Sequence, residues 1–257
     1  MPAAVRAPHF VRSFERGLAV IRSFDAEHPA RTLSEVARAC ELTRAAARRL
    51  LLTLADLGYV RSDGRLFRLT PRVLELGYAY LAGSTLPQTV TPHLEQLVAR
   101  TGESASLCVL DGDDAVHVAC LPARRVLAVT ITVGTRQPAR ATAAGRVLLA
   151  HLPAGELDTR RPTGALRKEL DRIRHEGHAL VDPELEEGLR AVAAPVRDRD
   201  GVVVAGVSIA MPAGRCSVDT VRRDLLPQLL AAAALIDDDL RITDPARAAS
   251  PGSARHR

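Results

Sequence analysis

The chain has 257 residues, enough for two compact domains at about 100–200 residues per domain. Its 47% apolar and 25% charged residues are typical of globular proteins and exclude wholesale disorder. No apolar run approaches the roughly 18 residues that span a bilayer, and the N-terminus lacks a signal-peptide core. Four scattered cysteines indicate neither a disulfide framework nor a metal site. We therefore expect a soluble cytoplasmic protein without metal or other cofactor.

The net charge of +5 is unevenly distributed along the chain. Residues 1–70 carry 12 Arg against 7 Asp or Glu, whereas residues 71–240 are slightly acidic. This asymmetry predicts a polyanionic partner for the N-terminal part alone. Residues 243–257 combine Ala, Ser, Pro and Gly with further arginines, a composition typical of a disordered tail.

Three helices are predicted before residue 58. The first carries Phe14, Leu18 and Ile21 at helical spacing. The second begins with the capping box Thr32-Leu33-Ser34-Glu35, in which side chain and backbone bond reciprocally. The third runs from about Arg44 to Leu57, and its predicted buried face consists of Ala47, Leu50, Leu51, Leu54 and Leu57.

A basic hairpin is predicted next, because two short alternating runs over 59–69 flank the turn Asp63-Gly64. Three helices followed by a basic hairpin are typical of a winged helix-turn-helix, here over residues 10–70, whose third helix enters the DNA major groove. Arginines there offer planar donor forks to guanine or phosphate. The plainer alternative is a solvated arginine-rich helix beside a β-turn. The candidate DNA-binding residues are Thr43, Arg44, Ala45, Arg48, Arg49, Arg61, Arg65 and Arg68.

The rest of the chain is predicted to form an apolar linker helix over 71–84 and an α+β domain over 85–242 with one antiparallel sheet. The linker helix either forms a dimer seam or packs within its own chain. In the domain we expect hairpin strands over 105–110 and 115–119 and a further strand over 126–133. A loop over 134–140 and a capped helix over 142–150 follow. A final helix is expected from Val218 to Leu240.

Catalytic motifs are few and incomplete. Gly206-Val207-Ser208-Ile209-Ala210 approximates a nucleophile elbow, but it lies within a strand predicted over 202–210 and no helix follows it. His175-Glu176-Gly177-His178 lacks the HExxH arrangement of a zinc site. We therefore assign no catalytic residue and no metal ligand, and we expect a protein that is not an enzyme.

A ligand site is better supported at the start of the helix that Thr142 caps. The loop with Arg136 and Arg140 leads into Ala143-Ala144-Gly145, whose small side chains leave backbone amides open to a carboxylate. Plain packing of small residues against the sheet is the alternative. An organic acid is the predicted ligand, with Arg136, Arg140 or Arg146 as second contacts.

The combination resembles the IclR family of bacterial transcription regulators from about Phe10 to Leu240. The segments that carry the resemblance are 13–21, the helix-turn-helix at 33–54, Thr142 to Ala150 and Glu186 to Val196. Residues 65–78 look like the subgroup that controls the β-ketoadipate pathway, which handles protocatechuate and 4-hydroxybenzoate.

The resemblance implies a winged helix-turn-helix, a GAF-like effector-binding domain, and homodimers or homotetramers. It also implies effector-binding positions at Ala143, Ala144, Gly145, Asp182, Ala191, Ser208 and Ala210. Some relatives carry Cys at the position of Ala191 and Ser at that of Ala210. The two alanines of this chain make the expected pocket less polar, which favours an aromatic or longer dicarboxylic acid over a glyoxylate- or pyruvate-like ligand.

We therefore predict a regulator of aromatic-acid catabolism that binds double-stranded operator DNA and responds to a small organic acid. Two alternatives remain. One is a small-molecule-converting enzyme with a DNA-binding-like N-terminal module, and the other is a DNA-binding protein that needs no effector.

Overall fold

The computed structural model describes residues 9–25, 27–77, 85–123, 131–182 and 188–243. The chain divides into two compact units, Met1–Gly83 and Ser84–Arg257. Three predictions fall wholly or partly outside the described residues: the end of the linker helix at 78–84, most of the strand at 126–133, and the tail after residue 243.

The first unit is the predicted winged helix-turn-helix. Its three short strands pair antiparallel in the order β1-β3-β2. The unit consists of α1 (Arg12–Arg22), β1 (Arg31–Thr32), α2 (Leu33–Ala39), α3 (Arg44–Asp56), β2 (Val60–Ser62), β3 (Leu66–Leu69) and a 3₁₀ turn (Pro71–Val73). Strand β1 was not predicted, because two residues carry no readable pattern.

Local signals place these elements as expected. The Thr32 amide donates to Glu35 at 2.7 Å and the Glu35 amide donates to the Thr32 hydroxyl at 3.3 Å, which confirms the capping box. Between α2 and α3 the chain turns at Glu41, whose φ of 53° lies in the left-handed region. The Leu42 amide then donates to the Ala37 carbonyl at 2.8 Å and closes the turn.

The Asp63 carboxylate holds the hairpin turn. It accepts the amides of Arg65 at 3.1 Å and Leu66 at 2.7 Å, and these bonds lower the pKa of Asp63. Gly64 has a φ of 94°, a conformation that side chains rarely adopt. The turn chemistry therefore fixes the register of β2 on β3.

The core of the first unit differs from the prediction at two positions. Val20, Val36 and Leu51 are fully buried, but Phe14 is 68% exposed and Leu57 is 52% exposed. The buried face of α1 is rotated toward Val20, so Phe14 projects away from the core. Leu57 follows the last turn of α3 and points outward where the chain reverses.

The second unit is an α+β domain built on a six-stranded antiparallel sheet in the order β6-β5-β4-β9-β8-β7. Its strands are β4 (Ser104–Asp111), β5 (Asp114–Leu121), β6 (Arg136–Pro138), β7 (Ala179–Val181), β8 (Leu189–Arg197) and β9 (Val203–Pro212). Its helices are α4 (Thr85–Thr101), α5 (Ala143–Ala150), α6 (Ala154–Thr159), α7 (Gly164–Glu176), α8 (Val218–Thr220) and α9 (Leu226–Thr243), with a 3₁₀ turn (Ala139–Ala141) and a π-helical turn (Val221–Leu225).

Helices cover both faces of the sheet, because successive strand residues point to opposite sides. Leu107 and Ile209 belong to the core shared with α4 and α9. Cys108 and Ala193 belong to the core shared with α5 and α7. Helix α5 lies against β9 at Gly206, where an added Cβ would meet the Ala144 carbonyl oxygen at 3.1 Å.

Several strands and helices of this unit differ from those predicted from the sequence. Residues 136–138 form β6, where a loop was expected, and residues 131–133 are not part of a strand. Strand β7 and helix α6 were not predicted, since three to six residues carry little periodicity. The final helix begins at Val218 as expected and has a π-helical turn just before Pro227. No helix in the described ranges is long and apolar enough to cross a membrane.

Candidate functional site

The first two turns of α3 present a basic surface. Thr43 caps the helix, with its hydroxyl accepting the Ala46 amide at 3.2 Å. Arg44, Ala45, Arg48 and Arg49 are exposed, while Ala47, Leu51 and Leu54 are buried on the opposite face. None of these three arginines forms an ion pair or side-chain hydrogen bond with a described residue, so their guanidinium groups are available to an external acceptor.

The hairpin of β2 and β3, hereafter the wing, adds three more cations. Arg61 on β2 lies directly opposite Arg68 on β3, and Arg65 lies in the loop between the strands. Arg61 and Arg65 are exposed and Arg68 is half-buried. Like charges opposite each other destabilise a hairpin, so an anion that binds between them would relieve repulsion.

In the second unit a cavity, hereafter the inner cavity, lies between the sheet and the start of α5. Its volume is about 50 Å³, room for a few water molecules. Its walls come from all six strands of the sheet and the turn into α5. The lining residues are Ser106, Cys108, His117, Ile131, Gln137, Ala141, Thr142, Ala143, Ala144, Val181, Leu189, Ala191, Ser208 and Ala210.

The sheet face of the inner cavity carries hydrogen-bonded polar side chains. The hydroxyls of Ser106 and Ser208, cross-strand partners on β4 and β9, lie 3.0 Å apart. His117 Nδ1 lies 3.3 Å from Cys108 Sγ and its Nε2 lies 3.2 Å from Gln137 Oε1. With the Gln137 oxygen placed there, Nε2 donates and Nδ1 accepts from the thiol. An irregularity in the β4–β5 register brings Cys108 opposite His117.

Burial keeps these groups uncharged. Desolvation lowers the pKa of His117, with the Gln137 hydrogen bond opposing it, and burial raises the pKa of the Cys108 thiol to about 12. The inner cavity therefore offers neutral hydrogen-bonding groups rather than a fixed side-chain charge.

The start of α5 forms the other wall. The Thr142 hydroxyl accepts the Gly145 amide at 2.9 Å, and the Arg146 amide donates to the Thr142 carbonyl at 2.9 Å. The amides of Ala143 and Ala144 have no protein acceptor among the described residues. Both residues are buried, so these two donors and the helix dipole favour an acidic group in the inner cavity.

Family comparison agrees with this two-part architecture. The IclR helix-turn-helix domain matches residues 13–64, and the bacterial transcriptional regulator IclR C-terminal domain matches residues 78–238. The chain belongs to the IclR family. It is thus a transcriptional regulator with a DNA-binding helix-turn-helix and a domain that binds a small-molecule effector.

Similar IclR proteins include regulators of aromatic-acid catabolism. The Pca regulon regulatory protein of Pseudomonas putida is 36% identical over 88% of this chain and 82% of its own length. The p-hydroxybenzoate hydroxylase transcriptional activator of Acinetobacter baylyi is 31% identical over 88% of this chain and 90% of its own. These relatives confirm the resemblance to the β-ketoadipate subgroup.

Two solved structures of transcriptional regulators superpose over most of the chain. One, from Rhodococcus sp. RHA1, is 48% identical with a TM-score of 0.81 and covers 91% of this chain and all of its own. The other is an IclR homologue from Microbacterium hydrocarbonoxydans complexed with 4-hydroxybenzoate. It is 27% identical with a TM-score of 0.76, covering 90% of this chain and 100% of its own.

The structure separates the predicted effector residues into two groups. Ala143, Ala144, Ala191, Ser208 and Ala210 all line the inner cavity. Gly145 instead packs on the 3₁₀ turn, where an added Cβ would lie 2.2 Å from the Ala139 carbonyl oxygen.

The remaining predicted effector residues lie outside the inner cavity. Arg136 bonds to Asp111 at 2.6 Å and to Asp114 at 3.1 Å. Asp182 accepts from Arg190 at 2.7 Å, and Arg140 is exposed on the outer surface.

Sequence reasoning missed the polar residues of the inner cavity. The strands predicted over 105–110 and 115–119 contain Ser106, Cys108 and His117, which were not predicted to bind a ligand. Gln137 was predicted to lie in a loop. The available signal was the polar residues interrupting apolar β4 and β5. The Ser208 hydroxyl pairs with Ser106 and with no base in the described part of the chain, an arrangement unlike a catalytic serine.

Proposed function

We propose that this IclR regulator binds a palindromic operator as a dimer and responds to an aromatic acid, or a longer dicarboxylic acid, held in the inner cavity. The observation that carries the proposal is that Ala143 and Ala144, whose amides have no acceptor among the described residues, both line the inner cavity. The amides would receive the carboxylate, and the paired hydroxyls of Ser106 and Ser208, which leave one O–H free, would receive a hydroxyl or second polar group.

Two further observations support an acid of the β-ketoadipate pathway. The curated relatives named above regulate Pca and p-hydroxybenzoate functions, and a related structure is complexed with 4-hydroxybenzoate. In this chain the alanines at 191 and 210 add no polar atom to the cavity wall, which suits an aromatic ring.

The size of the inner cavity gives the proposal a mechanism. At about 50 Å³ it is far smaller than typical small-molecule pockets of roughly 300 Å³ or more. An aromatic acid therefore has to displace part of the wall. A ligand shifts an equilibrium only through different affinity for two arrangements. We infer that the effector favours an arrangement with α5 moved from the sheet.

DNA binding is proposed to use both basic surfaces of the first unit. Arg44, Ala45, Arg48 and Arg49 on α3 would lie in the major groove, with the Thr43 cap at its edge. Arg61, Arg65 and Arg68 of the wing would contact phosphate or the minor groove. We further propose a GAF-like classification for the effector domain, a homodimer or homotetramer, and a cytoplasmic location, where a transcription regulator meets its DNA.

Thermal-shift measurements with 4-hydroxybenzoate, protocatechuate and β-ketoadipate test the effector proposal. At a hundred times its Kd an effector adds about 2.7 kcal/mol to the free energy of unfolding, a Tm rise of roughly 5–10 °C. The same ligand is expected to change operator affinity. Ala191→Leu, which fills the inner cavity, is expected to remove both responses, whereas Ala154→Leu on exposed α6 keeps them.

The alternatives have their own outcomes. Turnover of the acid that is lost in Ser208→Ala would show an enzyme. Unchanged Tm and operator affinity across all three acids would show a DNA-binding protein that needs no such effector.

A further inference from the structure

A second, much larger concavity lies on the outer side of the effector domain, hereafter the outer cleft. It has a volume of about 1070 Å³ and is bounded by the turn into α5, α6, the residues between α6 and α7, and α7 itself. Its apolar floor includes Leu149, Leu157, Leu166 and Leu170. A cleft of this volume holds a ligand considerably larger than a benzoate.

The carboxylates that line the outer cleft all form ion pairs. Each faces a guanidinium, at separations between 2.6 and 3.1 Å. These pairs are Asp113 with Arg160, Asp114 with Arg136, Glu169 with Arg172 and Asp182 with Arg190. Three of these arginines also pair with a second carboxylate, Arg136 with Asp111, Arg160 with Glu156 and Arg172 with Glu176. The attraction for an anion therefore has to come from arginines outside these pairs.

Two lining arginines are left uncompensated. Arg140 and Arg161 are exposed, and neither has an ion pair or side-chain hydrogen bond with any residue of the described ranges. Arg146, also in the lining, donates through Nε to the Arg140 carbonyl at 2.8 Å, which ties the two residues together. The cleft thus combines an apolar floor with two exposed arginines on its rim that have no ion-pair partner among the described residues.

The backbone at Arg161 adds an independent observation. Its φ of 47° places a non-glycine residue in the left-handed region, and such conformations cluster at ligand-binding positions. The Arg161 amide donates to the Asp158 carbonyl at 3.1 Å, which holds this conformation. A long cation is thus kept at a position that glycine would occupy with less strain.

We propose that the outer cleft is a second ligand site, separate from the inner cavity, for an organic anion with an apolar body and two or more negative charges. Arg140 and Arg161 bind the charged group, and the leucine floor receives the apolar body. Ala141 lines both the outer cleft and the inner cavity, so a ligand at either site contacts the turn that starts α5.

Fluorescence anisotropy with 1-naphthyl phosphate tests this proposal on the full chain. The probe has a dianionic head and an aromatic body, and the protein contains no tryptophan to interfere. We expect saturable binding that weakens with salt, and much weaker binding of 1-naphthol. Equal affinity for the phosphate and the uncharged naphthol, or no saturable binding, would overturn the proposal.

Two variants examine the arginines. Arg161→Gly removes the guanidinium while suiting the backbone, so Tm is expected to hold or rise as the Kd for the probe increases at least about tenfold. Arg140→Ala is expected to weaken binding similarly. The matched control is Arg167→Ala, since Arg167 is an exposed α7 arginine that pairs with Asp158 and lies outside the cleft lining. Unchanged probe affinity in both cleft variants would overturn the proposal.

Two further measurements distinguish a ligand site in the outer cleft from binding in the inner cavity and from a contact between copies of the chain. Ala191→Leu fills the inner cavity and is expected to leave naphthyl phosphate binding intact; a loss there would place the probe in the inner cavity and overturn the proposal. Analytical ultracentrifugation of Arg161→Gly is expected to match the wild type. A change in assembly state would instead make the outer cleft an interface between copies and would also overturn it.

Discussion

Arg61 and Arg68 occupy directly opposite positions across the two strands of the wing. The hairpin pairs them in register, so two cations face each other next to the DNA-binding helix. Repulsion between the two arginines slightly lowers the free energy of unfolding of the DNA-free protein, and a phosphate bound nearby turns the pair into a favourable contact. The wing therefore carries opposed positive charges whose repulsion a polyanion would relieve.

Replacing Arg61 by Ala is expected to stabilise the free protein and weaken its DNA complex. Removal of the opposing charge should raise the free energy of unfolding by about 0.3 kcal/mol. Loss of one phosphate contact should reduce the slope of log affinity against log salt by about 1. Urea denaturation and salt titrations of operator binding measure these effects. Arg65→Ala, in the loop, should lower the slope without the gain in stability, and a destabilised Arg61→Ala would contradict the argument.

Replacing Arg48 by Ala is expected to abolish preference for operator over random duplex while the fold remains intact. Arg48 is exposed one turn after Arg44, and its loss removes a fork that can bind guanine, worth about 1–3 kcal/mol of discrimination. Footprinting and thermal melting measure the two outcomes. Arg100→Ala, an exposed arginine at the end of α4, serves as the control. A retained footprint would rule out this role for Arg48.

Adding a methyl group at Gly145 is expected to disrupt the start of α5. The Cβ of Gly145→Ala would lie 2.2 Å from the Ala139 carbonyl oxygen. Because backbone must move, we expect a destabilisation of about 3 kcal/mol and loss of effector response. In Gly155→Ala on α6 the Cβ meets nothing within 4 Å, and a gain of about 0.5 kcal/mol is expected. Chemical denaturation of the pair checks this, and equal stabilities would refute the close contact.

Acidification is expected to destabilise the effector domain through one buried and one half-buried histidine. Burial lowers the pKa of His117 and of His151 below the usual value of about 6.5. As pH falls through about 6.5 the unfolded chain gains protons that the folded chain does not yet bind. The free energy of unfolding therefore declines until the folded-state pKa is reached, by up to about 1.4 kcal/mol per pH unit for each group.

Denaturation between pH 5 and 7.5 measures this decline. His117→Gln should make the dependence of the free energy of unfolding on pH shallower than in the wild type. An unchanged profile in His117→Gln would exclude this histidine as a source of the pH dependence.

Local chemistry explains which features were predictable. The capping box at Thr32 and the turn at Asp63-Gly64 act over three or four residues, so the sequence alone shows them. His117 gave no such signal, because its partners Cys108 and Gln137 come together only through strand pairing. Arg136 looked like a free loop cation, but β6 places it beside Asp111 and Asp114. The acidic turn preceding β5 was the only sequence clue to that pairing.

The two methyl groups of Ala191 and Ala210 face each other across β8 and β9 and set one boundary of the inner cavity. Both side chains lie on central strands, where the backbone is held by neighbours on each side. Substitutions there would change the shape and polarity offered to a guest molecule without altering the surrounding framework. These two positions are accordingly the natural starting points for re-engineering the protein as a biosensor for other acids.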